Sequence, residues 1–176
     1  MGQRDRFAAP LYIQLGGPPK MDCVFTTGGK ELLPKIVPLW NELKKHHVEV
    51  AGVFSPVFAM GDWESRRASL QRKAFDDKLK VDLVTLSNEL IAYAVSTIME
   101  KGIGEIDSLC VKEHCRGWGI GKQLIRRALD WMKVEGAKSY TLKVVHGNDR
   151  AMSLYQSLGF SPIMHTLMIP LQNRDS

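Results

Sequence analysis

The stretch Arg116-Gly117-Trp118-Gly119-Ile120-Gly121 carries three glycines within six residues. It lies between a predicted strand that ends near Val111 and a predicted helix that begins near Lys122. Because glycine has no Cβ, an anion can approach the backbone here, and successive amides can point into one concavity. The helix N-terminus adds about half a positive charge directed at the same place. The stretch therefore predicts a phosphate-binding loop between a strand and a helix.

Two common phosphate-binding loops do not fit this stretch. The P-loop ends in Gly-Lys-Ser or Gly-Lys-Thr, an ending that is absent from the sequence here. The glycines follow the pattern G-x-G-x-G, whereas the dinucleotide fingerprint is G-x-G-x-x-G and belongs early in a parallel fold. Another phosphorylated cofactor is therefore indicated. The structural alternative is a tight connection between strand and helix that binds no ligand.

The sequence before the loop predicts an antiparallel meander. A first strand is predicted at residues 21–27. Residues 81–86 and 90–99 are rich in β-forming residues and are separated by the polar residues 87–89, which predicts a hairpin. Residues 105–111 then alternate as the strand that leads into the loop.

The sequence after the loop predicts a parallel crossover. A helix from residue 122 to about 136 is followed by a strand at 140–145, and a strand, helix and strand this close together form a right-handed crossover. A short helix at 149–158 and a last strand at 163–169 complete the chain. We therefore predict an α/β fold of the α+β type, with a mixed, mainly antiparallel sheet flanked by helices and containing one parallel β-α-β crossover.

The N-terminal half is less regular. From Leu32 onwards apolar residues recur at spacings of three and four, which predicts a helix. Pro34 suits a first turn, whereas Pro38 implies a kink or a later start. Residues 46–63 show no clean period and are predicted to form a loop lined by aromatic side chains, which either caps the core or grips a substrate. A polar, helix-like run follows at 62–75.

Length and composition favour one domain. The chain has 176 residues, of which 44% are hydrophobic, enough for a single ordinary core. Residues 1–20 show no sustained period and are expected to form a flexible N-terminal arm, with one domain spanning 21–176. Met21 opens the first plausible strand, and we hypothesise that it is the native start.

Charge and cysteine content exclude several classes of function. The net charge of +5 favours anionic partners, but the basic residues are spread along the chain, so no nucleic-acid surface is expected. No apolar stretch is long enough to span a bilayer, and no membrane partner is expected. Cys23, Cys110 and Cys115 follow no disulfide or metal-site spacing. A cytoplasmic protein without a metal is therefore predicted.

Two motifs and the strand that precedes them resemble one enzyme family. Arg116, Gly119 and Gly121 fit the pattern Gln/Arg-x-x-Gly-x-Gly/Ala. Downstream, the sequence from Asn148 to Phe160 fits Asn-x-x-Ala-x-x-x-Tyr-x-x-x-Gly-Phe. These motifs, together with the strand at residues 106–111, resemble the GNAT superfamily of N-acetyltransferases over residues 105–160. The predicted order of elements agrees with this resemblance.

The resemblance implies that acetyl-CoA is the cosubstrate. Asn148 would contact the cofactor, although an Asn at this place also caps a helix. The backbone groups of Leu109, Cys110 and Val111 would pair with pantetheine like an added strand. The pyrophosphate would be held by the amides of the loop and the start of the next helix, namely Arg116, Gly117, Trp118, Gly119, Ile120, Gly121 and Lys122.

The resemblance also implies catalytic roles. An amine acceptor is protonated at neutral pH, so it must lose a proton before it attacks the thioester. Glu105 is similar in position to the base of the histone-acetylating branch, while Asp107 or water are alternatives. Tyr155 resembles the tyrosine that protonates the departing thiolate, although it also fits an apolar helical stripe. No histidine is evidently paired with Cys110, so direct attack in a ternary complex is expected.

The predicted function is therefore acetyl transfer from acetyl-CoA to a primary amine. The alternative is a non-catalytic protein of the same fold that binds acetyl-CoA as a sensor or binds a partner. The acceptor is left open between a small molecule and a protein. A homodimer is compatible with the resemblance, since dimerisation is common in the family.

Overall fold

The computed structural model describes residues 22–169 of the chain. The predicted arm at residues 1–20 and the hypothesised start at Met21 lie outside the described residues.

The described residues contain a mixed sheet of five strands in the order β1-β2-β3-β4-β5. The first four strands are antiparallel neighbours, and β5 pairs with β4 in parallel, as predicted. The strands are β1 (Val24–Gly28), β2 (Leu79–Leu86), β3 (Glu89–Met99), β4 (Ile103–Val111) and β5 (Ser139–Leu142).

Within the described residues, five α-helices flank this sheet. Short 3-10 turns lie between the elements, at Lys30–Ile36, Gly52–Phe54, Phe75–Asp77, Glu100–Gly102 and Glu113–Cys115. The helices are α1 (Val37–Val50), α2 (Ser55–Ala59), α3 (Trp63–Lys73), α4 (Ile120–Val134) and α5 (Asp149–Gln156).

The two faces of the sheet are covered by different helices. Tyr93 and Val95 of β3 pack with the apolar residues of α1 and α3. Their neighbours Ala92 and Ala94, which point the other way, pack with Leu124 of α4. Because both faces of β3 are buried, its sequence is apolar at nearly every position rather than alternating.

The start of α1 resolves the question raised by its two prolines. Pro34 lies inside a 3-10 turn, and α1 begins only at Val37, so Pro38 occupies the first helical turn. The missing N–H of proline costs no hydrogen bond there. The later start is therefore the correct reading.

The predicted loop at residues 46–63 is wrong. Helix α1 continues to Val50, and the 3-10 turn Gly52–Phe54 and α2 follow it. Ser55 Oγ donates to the carbonyl oxygens of Val48 and Gly52, 2.6 and 2.7 Å away, and so joins these pieces. The periodicity is lost because the 3-10 turn and α2, with three and five residues, are too short to show a helical period.

The predicted strand at residues 163–169 is also wrong, since this segment has no regular structure. Its apolar side chains are exposed, with Ile163 at 94% and Leu167 at 92%. The β-forming residues favour a strand only where a neighbouring strand pairs with them. Strand β5 likewise ends at Leu142 rather than at residue 145.

Candidate active site

The glycine-rich loop turns directly into α4. Gly117 and Gly119 have φ of +90° and +81°, and Gly119 is the N-cap residue of the helix. A Cβ built at either position meets no atom within 4 Å, so backbone conformation rather than lack of space requires glycine here. The first α-helical bond runs from the Gln123 N–H to the Gly119 carbonyl. The amides before Gln123 are therefore free of intrahelical partners and available to an anion.

Arg116 ties this loop to the preceding strand. Its Nε donates to the Val111 carbonyl oxygen at 3.1 Å, and its backbone N–H donates to Glu113. The side chain thus fixes the distance between the end of β4 and the start of α4. This contact gives a physical reason for a long donor side chain at the first position of the motif.

A cavity of about 370 Å³ lies between the loop, the end of β4, the start of α5 and the C-terminal half of α1. It brings together all but one of the cofactor-binding residues predicted from the sequence. The exception is Trp118, which packs into the apolar cluster between the sheet and α4. The predicted residues that line the cavity are Leu109, Cys110, Val111, Arg116, Gly117, Gly119, Ile120, Gly121, Lys122 and Asn148.

Sequence reasoning missed six residues that line the cavity. Leu43 and His46 come from α1, where the apolar spacing of three from Trp40 onwards was a usable signal. The remaining four lie in or beside the two motifs, and one of them, Ala151, is a fixed position of the second motif to which no binding role was assigned. They are Cys115, Arg150, Ala151 and Leu154.

The loop between β5 and α5 closes against the end of α1. Gly147 has a φ of +87°, and a Cβ there would lie 2.7 Å from the Val50 carbonyl oxygen. Glycine is required at this position by both conformation and close approach. This contact fixes α1 next to the start of α5, and so narrows the cavity.

Asn148 both caps α5 and lines the cavity. Its Oδ1 accepts from the Ala151 N–H at 3.2 Å. The cap uses the side-chain oxygen, which leaves the amide nitrogen as the atom able to contact a ligand. The two functions suggested by the sequence are therefore compatible.

Tyr155 is packed rather than exposed in the cavity. Its ring meets Phe160 edge-on with centroids 6.1 Å apart, in the cluster formed by α4 and α5. Burial raises the pKa of Tyr155 to about 12. The hydroxyl is therefore protonated at neutral pH, as a proton donor must be.

Glu105 and Asp107 lie outside the cavity lining, in a buried ionic cluster. Lys73 Nζ lies 2.7 Å from Glu105 Oε2 and also forms an ion pair with Asp107. Thr97 Oγ1 donates a further hydrogen bond to Asp107. Both carboxylates are therefore engaged by donors of the protein itself.

The Cys110 thiol is held in its protonated form. The pKa of Cys110 is raised to about 12, mainly by burial and in smaller part by the negative charge of Glu42, while Arg116 acts to lower it. Within residues 22–169, no hydrogen bond joins this thiol to His46, which lines the same cavity. The thiolate that a nucleophilic cysteine needs is thus scarce at neutral pH.

None of the helices between residues 22 and 169 combines the length and apolar character needed to cross a membrane. In the same residues, no group of three or more His, Cys, Asp or Glu side chains is placed to hold a metal ion.

In this mixed sheet, strand β4 leads through a glycine-rich turn into the N-terminus of α4, an arrangement that favours binding of an anion. The family model of the acetyltransferase (GNAT) family matches residues 40–160, more than half of the chain. The chain belongs to this family.

Curated relatives agree with this assignment. YobR, an uncharacterised N-acetyltransferase of Bacillus subtilis, is 44% identical over 62 residues, which are 35% of this chain and 25% of YobR. YhfO of the same organism, also an uncharacterised N-acetyltransferase, is 25% identical over 130 residues, or 71% of this chain and 80% of YhfO. A mycothiol acetyltransferase of Renibacterium salmoninarum is 38% identical over 61 residues, 35% of this chain and 18% of that enzyme. The chain thus spans a quarter or less of YobR and the mycothiol acetyltransferase.

Solved structures share the fold. A mutant of the BH1408 protein from Bacillus halodurans has a TM-score of 0.66 at 22% identity, covering 85% of this chain and 99% of that one. The aminoglycoside N-acetyltransferase AAC(6')-Iy in complex with CoA has a TM-score of 0.63 at 17% identity, covering 90% and 99%. At these identities the likeness establishes the architecture.

Proposed function

We propose that this protein transfers the acetyl group of acetyl-CoA to a primary amine by direct attack of the amine nitrogen within a ternary complex. The observation that carries the proposal is one continuous cavity, which reaches from the amides at the start of α4 to the end of β4. A cofactor with a pyrophosphate and a peptide-like arm needs both surfaces in a single site.

The residues present fit coenzyme A. Arg116, Lys122 and Arg150 line the cavity, and their charges add to that of the helix N-terminus in favouring an anion. Residues 109–111 line the cavity, and their backbone would pair with the amides of the pantetheine arm. When bound, acetyl-CoA supplies an activated acetyl thioester.

Direct attack is supported by the state of Cys110, the nucleophilic side chain at the β4 end of the cavity. Its raised pKa keeps the thiol protonated, and a covalent acetyl-enzyme would require the thiolate. The amine is then the attacking group. Intact-mass analysis after mixing with acetyl-CoA tests this step, and an acetyl adduct on Cys110 that turnover requires would contradict it.

Two proton transfers accompany this attack. Tyr155 is proposed as the acid that protonates the departing thiolate, because burial keeps its hydroxyl neutral. Glu105, Asp107 or water takes the proton of the amine. The ion pairs with Lys73 favour water, since both carboxylates already have a cationic partner.

The acceptor is an amine-bearing small molecule or protein. The test is the release of coenzyme A from acetyl-CoA across a panel of amino acids, polyamines, aminoglycosides and peptides with free N-termini. Calorimetry with acetyl-CoA is run on the same preparation. Binding without turnover on any amine would favour the non-catalytic sensor, and absence of binding would contradict the proposal altogether.

A matched pair of variants tests the phosphate cradle, by which we mean the backbone amides of residues 116–122. Asp and Asn both tolerate the left-handed conformation of Gly119, so Gly119→Asp and Gly119→Asn differ mainly in charge. We expect Gly119→Asp to weaken acetyl-CoA binding by about tenfold or more relative to Gly119→Asn, since like charges about 4 Å apart repel by about 1–4 kcal/mol. Equal affinity of the two variants would place the pyrophosphate elsewhere.

A further inference from the structure

Strand β4 contains one extra residue opposite β3. Val95 pairs with Ser108, and the next residue, Ser96, pairs with Ile106. Asp107 therefore has no backbone pairing partner on β3 and forms a β-bulge. A bulge interrupts the ladder, bends the strand and re-aims the residues that follow it. Those residues, 109–111, are the part of β4 that lines the cavity.

Helix α3 holds this bulge through two cationic side chains. Arg66 Nη2 donates to the Asp107 carbonyl oxygen at 2.8 Å. Lys73 forms an ion pair with the Asp107 carboxylate and lies 2.7 Å from Glu105 Oε2. Arg66 and Lys73 are seven residues apart, so they lie on the same face of the helix. Both the backbone and the side chain of the bulged residue are thus fixed from one helix.

The burial of this cluster shows that the contacts are specific. The side chain of Asp107 is 1% exposed and that of Glu105 is 6% exposed. A buried carboxylate is tolerated only when it is paired and hydrogen-bonded. Lys73, Thr97 and Arg66 together supply those partners, and removal of one of them leaves a buried acceptor unsatisfied.

From these contacts we infer that Lys73 and Arg66 are positioning residues, which fix the bulge at Asp107 and thereby aim the backbone of residues 108–111 along the cavity. Glu105 and Asp107 then serve to anchor α3 to β4. The inference rests on the proposed acetyl transfer, because it assigns the aimed backbone to the thioester end of the cofactor.

The first test follows the shape of β4 without relying on activity. Hydrogen exchange by mass spectrometry is compared for the wild type, Lys73→Met, Lys73→Arg and the control Lys78→Met. Lys78 pairs with Glu135 at 3.2 Å and is similarly exposed, but it lies away from the bulge. We expect faster exchange of residues 103–111 in Lys73→Met, unchanged exchange at the start of α4, and recovery in Lys73→Arg. Unchanged exchange of β4, or an equal rise throughout the chain, would overturn the inference.

The second test separates positioning from binding. With an amine that the wild type acetylates, we expect Lys73→Met to lower kcat by about tenfold or more, as small misplacements at a reacting centre do. The Kd for acetyl-CoA should change less than kcat, because the pyrophosphate contacts at the start of α4 do not depend on the bulge. A folded Lys73→Met variant with the kcat of the wild type would overturn the inference.

The outcomes distinguish the inference from the function on which it rests. If the wild type acetylates no amine, the proposed function fails, while the exchange experiment still decides whether α3 fixes the bulge. If Lys73→Met does not fold, Arg66→Gln replaces it, since that change removes the bond to the Asp107 carbonyl but keeps both ion pairs of Lys73. The same local rise in exchange is expected there, and its absence would count against the inference.

Discussion

Helix α4 lies on one face of the sheet with Leu124, Ile125 and Met132 fully buried. Its stripe of apolar residues makes most of its contact with the strands, and an ion pair between Arg127 and Asp82 lies beside that stripe. This helix carries the glycine-rich turn, which is the proposed phosphate cradle, at its N-terminus. The cradle is therefore held in place mainly by burial of apolar surface, a force without directional requirements.

Helix α3 lies on the other face and is mostly polar. Trp63 and Leu70 make its apolar contacts. Arg66 and Lys73 make polar contacts with the sheet, at the bulged residue Asp107. Ionic contacts of this kind are directional, so they fix a position more narrowly than apolar packing does. The start of α4 and the bulge in β4, the two parts of the proposed site, are therefore supported by different forces.

The largest expected effect concerns the apolar side. Leu124→Ala should lower the free energy of unfolding by about 2–5 kcal/mol, because it removes a fully buried side chain and leaves a cavity. Urea unfolding at low and high salt measures this loss, which should be nearly the same at both ionic strengths. Val134→Ala on the same helix is the control, since Val134 is 84% exposed. A loss at Leu124 no larger than at Val134 would remove the distinction between the two helices.

A smaller effect is expected on the ionic side. Thr97→Val keeps the shape of a buried side chain but removes the hydroxyl that donates to Asp107. A buried acceptor left without one of its donors costs about 1–3 kcal/mol. Thr97→Ser, which keeps the hydroxyl, is the control for this change. Equal unfolding free energies for the Val and Ser variants would show that the cluster contributes no stability.

The two helices also differ in how much of them could be predicted from the sequence. The stripe of α4 and the glycines before it are local patterns, so the helix, its buried face and the glycine-rich turn were all predictable. The polar run of α3 was readable as a helix that begins after Asp62, whose side chain accepts from the Ser65 N–H. The contact of α3 with the bulge could not be predicted, because Lys73 and its partner Asp107 are separated by 34 residues in the chain.

The other misses also have nonlocal causes. Residues 46–50 continue α1, and residues 52–59 form two helical pieces that are too short to show a period. The β-forming residues at 163–169 were assigned to a strand by propensity alone, and the structure gives them no neighbouring strand. His46 lines the cavity but was not predicted to do so. The sequence alone does not tell which face of α1 contacts β4, since this depends on the fold as a whole. The catalytic roles of Glu105 and Tyr155 stay predictions.

The smallest expected effect is a pH dependence of stability that comes from Tyr155, which lies in the apolar cluster of α4 and α5. Burial raises the pKa of Tyr155 from its ordinary value near 10 to about 12. Above pH 10 the unfolded chain releases this proton while the folded chain retains it, so stability falls as the pH rises from about 10 to about 12. For one group the fall is at most about 1.4 kcal/mol for each pH unit. Tyr155→Phe removes this contribution.

Urea unfolding between pH 9 and pH 11.5 measures the difference in slope. Burial also raises the pKa of Tyr93 and Cys110, so part of the alkaline loss remains in the Phe variant. The informative quantity is therefore the change in slope relative to wild type, with Tyr140→Phe, at an exposed position, as the control. If the free energy of unfolding fell with pH equally in the wild type and in Tyr155→Phe, the phenol would be hydrated in solution. A shallower curve would establish a neutral hydroxyl in an otherwise apolar cluster, which is the state that a proton donor to a thiolate requires.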